Sequence, residues 1–387
     1  MLEAITAHLG AIRSLEMNLT VAQMFGVPLF LRGTSQSRRF LILFYCLIFW
    51  TLFNFFYLYF EVLDLGLITT NFNQIAQNIC LTFTHFGGNI KFLNIMYKFH
   101  NVKIIVEEML ELPSLYVRDE KHQKIFRASE IENKLIVIVY STIVLSTAFL
   151  GIGTLIKDPT IGGNIFPYRS FLPGFLPQIL RIAYWSTGVT MLSIQIVAID
   201  CLNVNLINQI RLHLKLLNLN LSELVSSKQS SKDAFNILKN CIKHHQIILR
   251  LRNEIESIFK YPVLVQFSVS LLIFVMTGFQ AIVLTGADGI ILVYFYCACI
   301  TCQLFSYCWF ANQVMEENKL LVIAGYNTSW FDFGSRYSKI LIIFMINAQQ
   351  PLTFTVGGFF NLSLNGFTGI LSRSYSSIAV LRQMYAK

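Results

Sequence analysis

The sequence predicts an all-α membrane protein of seven spanning helices, on three observations. Hydrophobic residues make up 55% of the chain, charged residues only 13%, and the mean hydropathy is +0.57, which is too apolar for an ordinary soluble domain. Apolar runs near span length, roughly 20 residues with few charges, recur along the chain. The lysines and arginines gather in alternate connections between those runs. With 34 phenylalanines, 8 prolines and no internal repeat, the chain is neither disordered nor low-complexity. The stretch 1–39 carries Glu3, Arg13, Glu16 and Arg32 without a compact apolar core, so it does not read as a cleavable signal peptide.

The first span is Phe40–Phe60, bounded by Arg39 and Glu61. The second, about Leu67–Ile90, is richer in Asn, Gln and Thr. Leu135–Ile156 is the third, and Ile182–Ile210 is the fourth, with Asp200 as its one charge. Tyr261–Ala287 and Gly289–Met315 form the fifth and sixth, parted by Asp288. The last uncharged run, Ile340–Ser372, is too long for one span and is interrupted by Ala348–Pro351 and by Gly357-Gly358. It reads as one helix over Ser338–Ala348 and a second, spanning one over Asn361–Met384. The chain therefore divides into an N-terminal stretch (1–39), six spans (40–315), an intervening region (316–350) and the last helix (351–387).

Orientation follows from the basic residues. Of the 30 lysines and arginines, 24 lie in the N-terminal stretch and in every second segment after it. That predicts a cytoplasmic N-terminus and an external C-terminus. The same placement accounts for the net charge of +9 without invoking nucleic acid. Asn-x-Ser/Thr sites at Asn18, Asn220, Asn327 and Asn361 fall outside the loops assigned to the exterior, and the 8 cysteines avoid them too, so neither glycosylation nor an external disulfide is expected. A G-protein-coupled receptor, the runner-up reading, has seven spans but the opposite orientation.

Chemistry-bearing residues are few. No serine elbow, phosphate loop or paired carboxylates occur in a span, which argues against an enzyme, and no cofactor or metal site is expected. His244 and His245 are adjacent, hence about 100° apart on a helix, and read as the solvated surface of a charged helix whose apolar face is Ile248, Leu251, Ile255 and Ile258. Cys297, Cys299 and Cys302 read as small packing residues. Asp200 reads as structural, close to an interface, and His85 as either a ligand contact or an interhelical hydrogen bond.

The terminal helix has a clear pattern. Asn361, Asn365, Thr368, Ser372, Ser376, Ala379 and Gln383 stay within about 40° of one line, and all but Ala379 are polar. Val380 and Met384 add an apolar shoulder near its end. Such a stripe either hydrogen-bonds neighbouring helices of the same subunit or walls a water-filled pore with an apolar constriction. A pore needs several copies of the chain around it.

Several segments resemble the insect odorant receptor family. Leu304–Val314 (LFSYCWFANQV) is similar to its sixth-span motif, with Ala311 in place of the usual glycine. Ala324–Phe333 (AGYNTSWFDF) resembles the aromatic segment that follows, and Ile346–Met384 resembles the last helix, including Gln349, Pro351, Gly357 and the Ser374–Ser376 triplet SYS, with Gln350 where a basic residue is usual. The stretch IKHHQIILRLRNEIESIF and Pro167 with Leu172-Pro173 match upstream. The resemblance implies an odour-gated, non-selective cation channel of four subunits in the plasma membrane, pairing an odour-specific chain with a shared co-receptor. It implies a pore lined by the last helix, here Ser372, Ser376, Val380, Gln383 and Met384, and a cytoplasmic anchor over Tyr326–Ala348. The short connection Arg211–Lys260 and the SYS triplet mark the odour-specific subunit. It also implies a pocket for a small volatile odorant in the outer half of spans two, three, four and six. The residues of mixed character there are Asn78, Thr82, Thr147, Gly151, Tyr184, Met191, Gln195 and Phe295.

Overall fold

A computed structural model describes residues 13–27, 35–67, 72–117, 119–157, 177–226, 231–283 and 287–385. The expected loop with Pro167, Leu172 and Pro173 lies outside the described residues. The helices, in chain order, are α1 (Arg13–Met24), α2 (Gln36–Leu67), α3 (Phe72–Tyr97), α4 (Phe99–Tyr116), α5 (Glu120–Lys157), α6 (Gln178–Ser226), α7 (Ser231–Val283), α8 (Ala287–Tyr326), α9 (Ser335–Ala348) and α10 (Leu364–Tyr385). A two-residue strand pair, β1 (Thr355–Val356) and β2 (Phe360–Asn361), separates α9 from α10. Among the described residues, five helices are long and apolar enough to cross a membrane: α2, α5, α6, α7 and α8. The more polar α3 and α10 pack beside them, α3 mainly on α7 and α2, α10 on α7 and α8.

Hydrophobicity sorts these helices into centre and rim. The most apolar window of α6 is 78% buried, whereas those of α2 and α5 are only 22% buried. Phe40, Leu41, Phe44 and Leu47 on α2, with Leu135, Ile138 and Phe149 on α5, point outward. That is the pattern of a bundle whose solvent on the rim is lipid. A π-helical turn at Trp50–Phe55 interrupts α2, and the Leu52 carbonyl there accepts from Tyr184 Oη at 2.8 Å. Beyond it α2 does not stop at Glu61, where the first span was expected to end. It runs on because Glu61 and Asp64 are buried against α3, paired with His85 and Asn78.

Helices α6 and α7 far outrun their spans. α6 has 49 residues and α7 has 53, and a 53-residue helix is roughly 80 Å long against a hydrocarbon core of about 30 Å. Their polar extensions, joined by α4, carry the core beyond the spans: Leu212, Leu216 and Leu221 of α6, Ile248, Leu251 and Ile255 of α7 and Val102, Ile105 and Met109 of α4 belong to one continuous cluster with Ile273 of α7 and Leu304 of α8. The expected apolar face of α7 is thus present.

The expected solvated face is not. His244 and His245 are 0% and 3% exposed, because α4 and α6 on one side and α9 on the other cover both faces of α7. His244 stacks on Tyr116 at 3.7 Å and meets His213 at 3.1 Å, while His245 packs edge-on to Phe344. Burial drives all three imidazoles toward neutrality, with pKa values pushed down to about 3 for His213, about 2 for His244 and about 4 for His245.

The expected break in the last uncharged run is real, but α10 begins at Leu364 rather than Asn361. The intervening residues form the β-hairpin, whose turn uses Gly357 and Gly358 at φ +63° and +84°. Gly357 also lies so close to α7 that a Cβ there would come within 2.7 Å of Leu264. Asn318 of α8 pins the other side by donating to the carbonyls of Ala348 and Gln350.

Candidate functional site

A cavity lies where α3, α5, α6 and α8 converge. Its wall is built from Leu81, Thr84 and His85 of α3, Tyr140, Val144, Thr147 and Ala148 of α5, Val189, Ser193, Ile196 and Val197 of α6, and Tyr296, Cys299, Ile300 and Gln303 of α8. The room for the centre of a water-sized sphere is about 70 Å³, which suits a small ligand. A larger space of about 370 Å³ opens beside it between α1, α5 and α6, sharing Val144 and Val197. The smaller cavity is the better candidate because polar groups converge on an apolar wall.

Those polar groups are already engaged. Tyr296 Oη donates to the Cys80 carbonyl at 2.9 Å and contacts Thr84 Oγ1. Thr147 Oγ1 donates to the Ile143 carbonyl and lies 3.1 Å from Cys299 Sγ. His85 Nδ1 is 2.7 Å from Glu61 Oε1, so this histidine both makes an interhelical hydrogen bond and lines the cavity. A ligand entering this space meets mainly carbon, and shape decides fit.

Two cavity residues, Tyr140 and Gln303, reach from the cavity to Asp200, which is 2% exposed. The Asp200 carboxylate accepts from Lys91 Nζ at 2.6 Å, from Tyr307 Oη at 2.6 Å, from Tyr140 Oη at 3.1 Å and from Gln303 Nε2. A buried carboxylate persists only with such pairing. Asp200 thus ties α3, α5, α6 and α8 together, the structural role expected of it. It is enclosed by protein on all sides, and Asn203, Asn205 and Asn208 after it are buried too.

Of the eight residues expected at the pocket, the cavity takes in Thr147. Asn78 and Thr82 are buried in the α2–α3 seam, where Asn78 binds Asp64 and accepts from Thr82. Tyr184 is tied to α2, Gln195 donates to the Phe25 carbonyl beside α1, and Gly151 is buried above the cavity's Ala148 on α5. Met191 is half-buried and does not line the space. Phe295 is 38% exposed on the outer face of α8, and its neighbour Tyr296, turned by about 100°, faces the cavity instead. The cavity lies among the four helices expected to hold the pocket, but most of the expected side chains turn away from it. Tyr140, Tyr296 and Gln303 carried one usable signal: each is a polar group in an apolar span.

The terminal helix shows the reverse arrangement. Six residues of the expected stripe, Asn365, Thr368, Ser372, Ser376, Ala379 and Gln383, are exposed on the single subunit; Asn361, the seventh, is exposed too but lies in β2, before α10 begins. The helix is fastened by the opposite side, through Ile370, Ser374 and Ile378, the last lying over Gly278 of α7. Ser376 donates to the Ser372 carbonyl and Ser377 to that of Arg373, so these hydroxyls bond their own helix and no neighbouring one. Val380 is 57% exposed, and Met384 lies beyond the described side chains. A second exposed surface is apolar: Ile323 and Tyr326 of α8 with Ile342 and Ile346 of α9.

The model of the family described as "7tm Odorant receptor" matches residues 71–375. Among curated proteins, the chain is 27% identical over 227 residues to putative odorant receptor 85d of Drosophila melanogaster, covering 57% of this chain and 55% of that one. It is 29% identical over 161 residues to odorant receptor 10 of Aedes albopictus, covering 42% and 43%. The chain thus spans about half the length of these two relatives. With putative odorant receptor 92a of Drosophila melanogaster it aligns over 374 residues at 22% identity, 92% of this chain and 90% of that one. The fold is that of the insect olfactory receptor OR5 from Machilis hrabei, solved in complex with eugenol, with a TM-score of 0.86 over 97% of this chain and 99% of that one at 16% identity. The family match covers both the cavity helices and most of α10, and this chain belongs to the 7tm odorant receptor family.

Proposed function

We propose that the chain is the odour-binding subunit of a ligand-gated, non-selective cation channel in the plasma membrane. It works in a tetramer with a shared co-receptor, N-terminus cytoplasmic and C-terminus outside. The observation that carries this reading is the exposed polar stripe of α10: a hydroxyl face left bare by its own subunit suits a water-filled path shared among several. Ser372, Ser376 and Gln383 form the wall of that path, and Val380 with Met384 the apolar neck. The exposed α8–α9 surface is the contact between subunits. A small volatile ligand occupies the cavity lined by Thr84, Thr147 and Tyr296. Its binding moves α8, whose Phe305 packs on Phe367 of α10 with ring centroids 5.8 Å apart.

The test is electrical. The chain is expressed with and without an odorant co-receptor and challenged with an odour panel that includes eugenol, since the Machilis hrabei receptor was solved with it. Cysteines at Ser376 and Val380 are exposed to charged thiol reagents from outside during the response. The expected result is a modified current that needs no G protein. If the channel opens and the reagents do nothing at either position, the stripe is not the pore wall.

A further inference from the structure

At the polar end of the bundle, far along the helices from the cavity, the start of α5 meets the end of α6. Asp119 precedes α5 and His122 lies in its first turn, while Asn220 and Glu223 sit one turn apart on α6. A His122 ring nitrogen and one carboxylate oxygen each of Asp119 and Glu223 lie within 4.8 Å of one another. Three such groups alone would mean little. The informative residue is His122, which is 1% exposed. Its Nε2 lies 3.0 Å from Asn220 Oδ1, and its buried Nδ1 has no hydrogen-bond partner and faces Asp119 Oδ2 at 3.9 Å.

The amide oxygen of Asn220 can only accept, so Nε2 carries the hydrogen and Nδ1 presents its lone pair. That lone pair is aimed at carboxylate oxygens, which are acceptors too. Of these three acceptors only the histidine is buried, and its unpartnered Nδ1 is completed either by a proton or by a metal ion shared with the two carboxylates. We propose that Asp119, His122 and Glu223 bind a divalent transition-metal ion of the zinc type, with Asn220 as the residue that fixes the imidazole. Metal-ligating histidines are held in this way through their second nitrogen. Ligand atoms bonded at about 2.0–2.2 Å to one tetrahedral ion lie roughly 3.3–3.6 Å apart, so the 3.9 Å between His122 Nδ1 and Asp119 Oδ2 would shorten by a few tenths of an ångström on binding. A nitrogen ligand favours zinc over calcium or magnesium, which take oxygen. Asp119 is 66% exposed, so the ion reaches solvent and water completes its coordination. The ion would clamp α5 to α6, two of the four helices that enclose the cavity, at a distance from it.

The experiment uses the full chain, purified in detergent, stripped with a chelator and titrated with zinc by equilibrium dialysis and thermal unfolding. The expected result is one saturable zinc per chain and a rise in Tm, both reversed by chelator and not reproduced by magnesium. Asp119→Asn and Glu223→Gln should abolish that binding, and Asn220→Ala should weaken it by roughly 10–100-fold. His122→Ala should do the same as the carboxylate changes. Because Asp119 is exposed, Asp119→Asn leaves the fold intact and separates loss of the site from misfolding. Equal zinc binding by wild type and Asp119→Asn, or no saturable binding by wild type at millimolar zinc, overturns the proposal.

Discussion

Thr147 of α5 and Ser376 of α10 make the same local bond: each hydroxyl donates to the carbonyl four residues back, at 2.8 and 3.0 Å. Their surroundings are opposite. Thr147 is 4% exposed and faces a cavity enclosed by four helices, while Ser376 lies bare on the surface of the subunit. A hydroxyl bonded to its own helix makes no demand on neighbours, so the fold is free to place it against a ligand, lipid, water or another subunit. The polar residues after Asp200 on α6 differ from both. Asp200 is held from three other helices, and its removal should be felt throughout the bundle.

The sharpest way to break this comparison is Asp200→Leu. It leaves Lys91 buried without its partner, and the expected cost is about 3–5 kcal/mol, read as lost folded yield and a lower Tm in detergent. The double change with Lys91→Met should recover much of the loss. If the single variant is as stable as wild type, Asp200 does not tie the bundle.

Acidification should act on the other buried polar cluster. His213, His244 and His245 are neutral when folded, with pKa values of about 3, about 2 and about 4, and ordinary when unfolded, near 6.5. Below that value the unfolded chain binds protons that the folded chain excludes. Stability is therefore full above about pH 6.5 and falls as the pH drops toward 4, by up to about 1.4 kcal/mol per unit for each histidine. Unfolding curves at a series of pH values measure the slope, and His244→Phe, which keeps the stack on Tyr116, should flatten it. A slope unchanged in that variant would place the proton uptake elsewhere.

A smaller effect is expected at the cavity. Tyr296→Phe removes one donor to the Cys80 carbonyl, for about 1 kcal/mol, but changes the wall. Its main result should be a reordered ranking of active odorants, measured as dose–response curves across a panel; uniform scaling of every response would move the pocket elsewhere. The smallest stability effect belongs to Ser372→Ala and Ser376→Ala on the exposed face of α10, within about 0.5 kcal/mol. On the proposed function these two still alter single-channel conductance, so unfolding and current part company there, whereas at Asp200 they fall together.

Helix periodicity made much of this legible in advance. The polar stripe of α10 is a matter of 100° steps along one segment, and it reads directly from the spacing of Asn365, Thr368, Ser372 and Ser376. The break before it follows from a proline and two glycines. That local rule does not say which of Phe295 and Tyr296 faces inward, because this depends on how α8 crosses α3, α5 and α6, and it misjudged His244 and His245.

What the sequence determined by itself is therefore the set of apolar runs, their charged flanks, the split of the last helix and the angular position of each side chain on its own axis. Those are properties of consecutive residues and of the bilayer's length scale. The tertiary structure alone decided that Glu61 and Asp64 are buried, that α6 and α7 run past their spans and carry the core on around three histidines, and that four particular faces enclose a cavity. Convergence of faces depends on crossing geometry between helices far apart in sequence, and on which face a neighbouring helix covers. No periodicity within one segment carries that information.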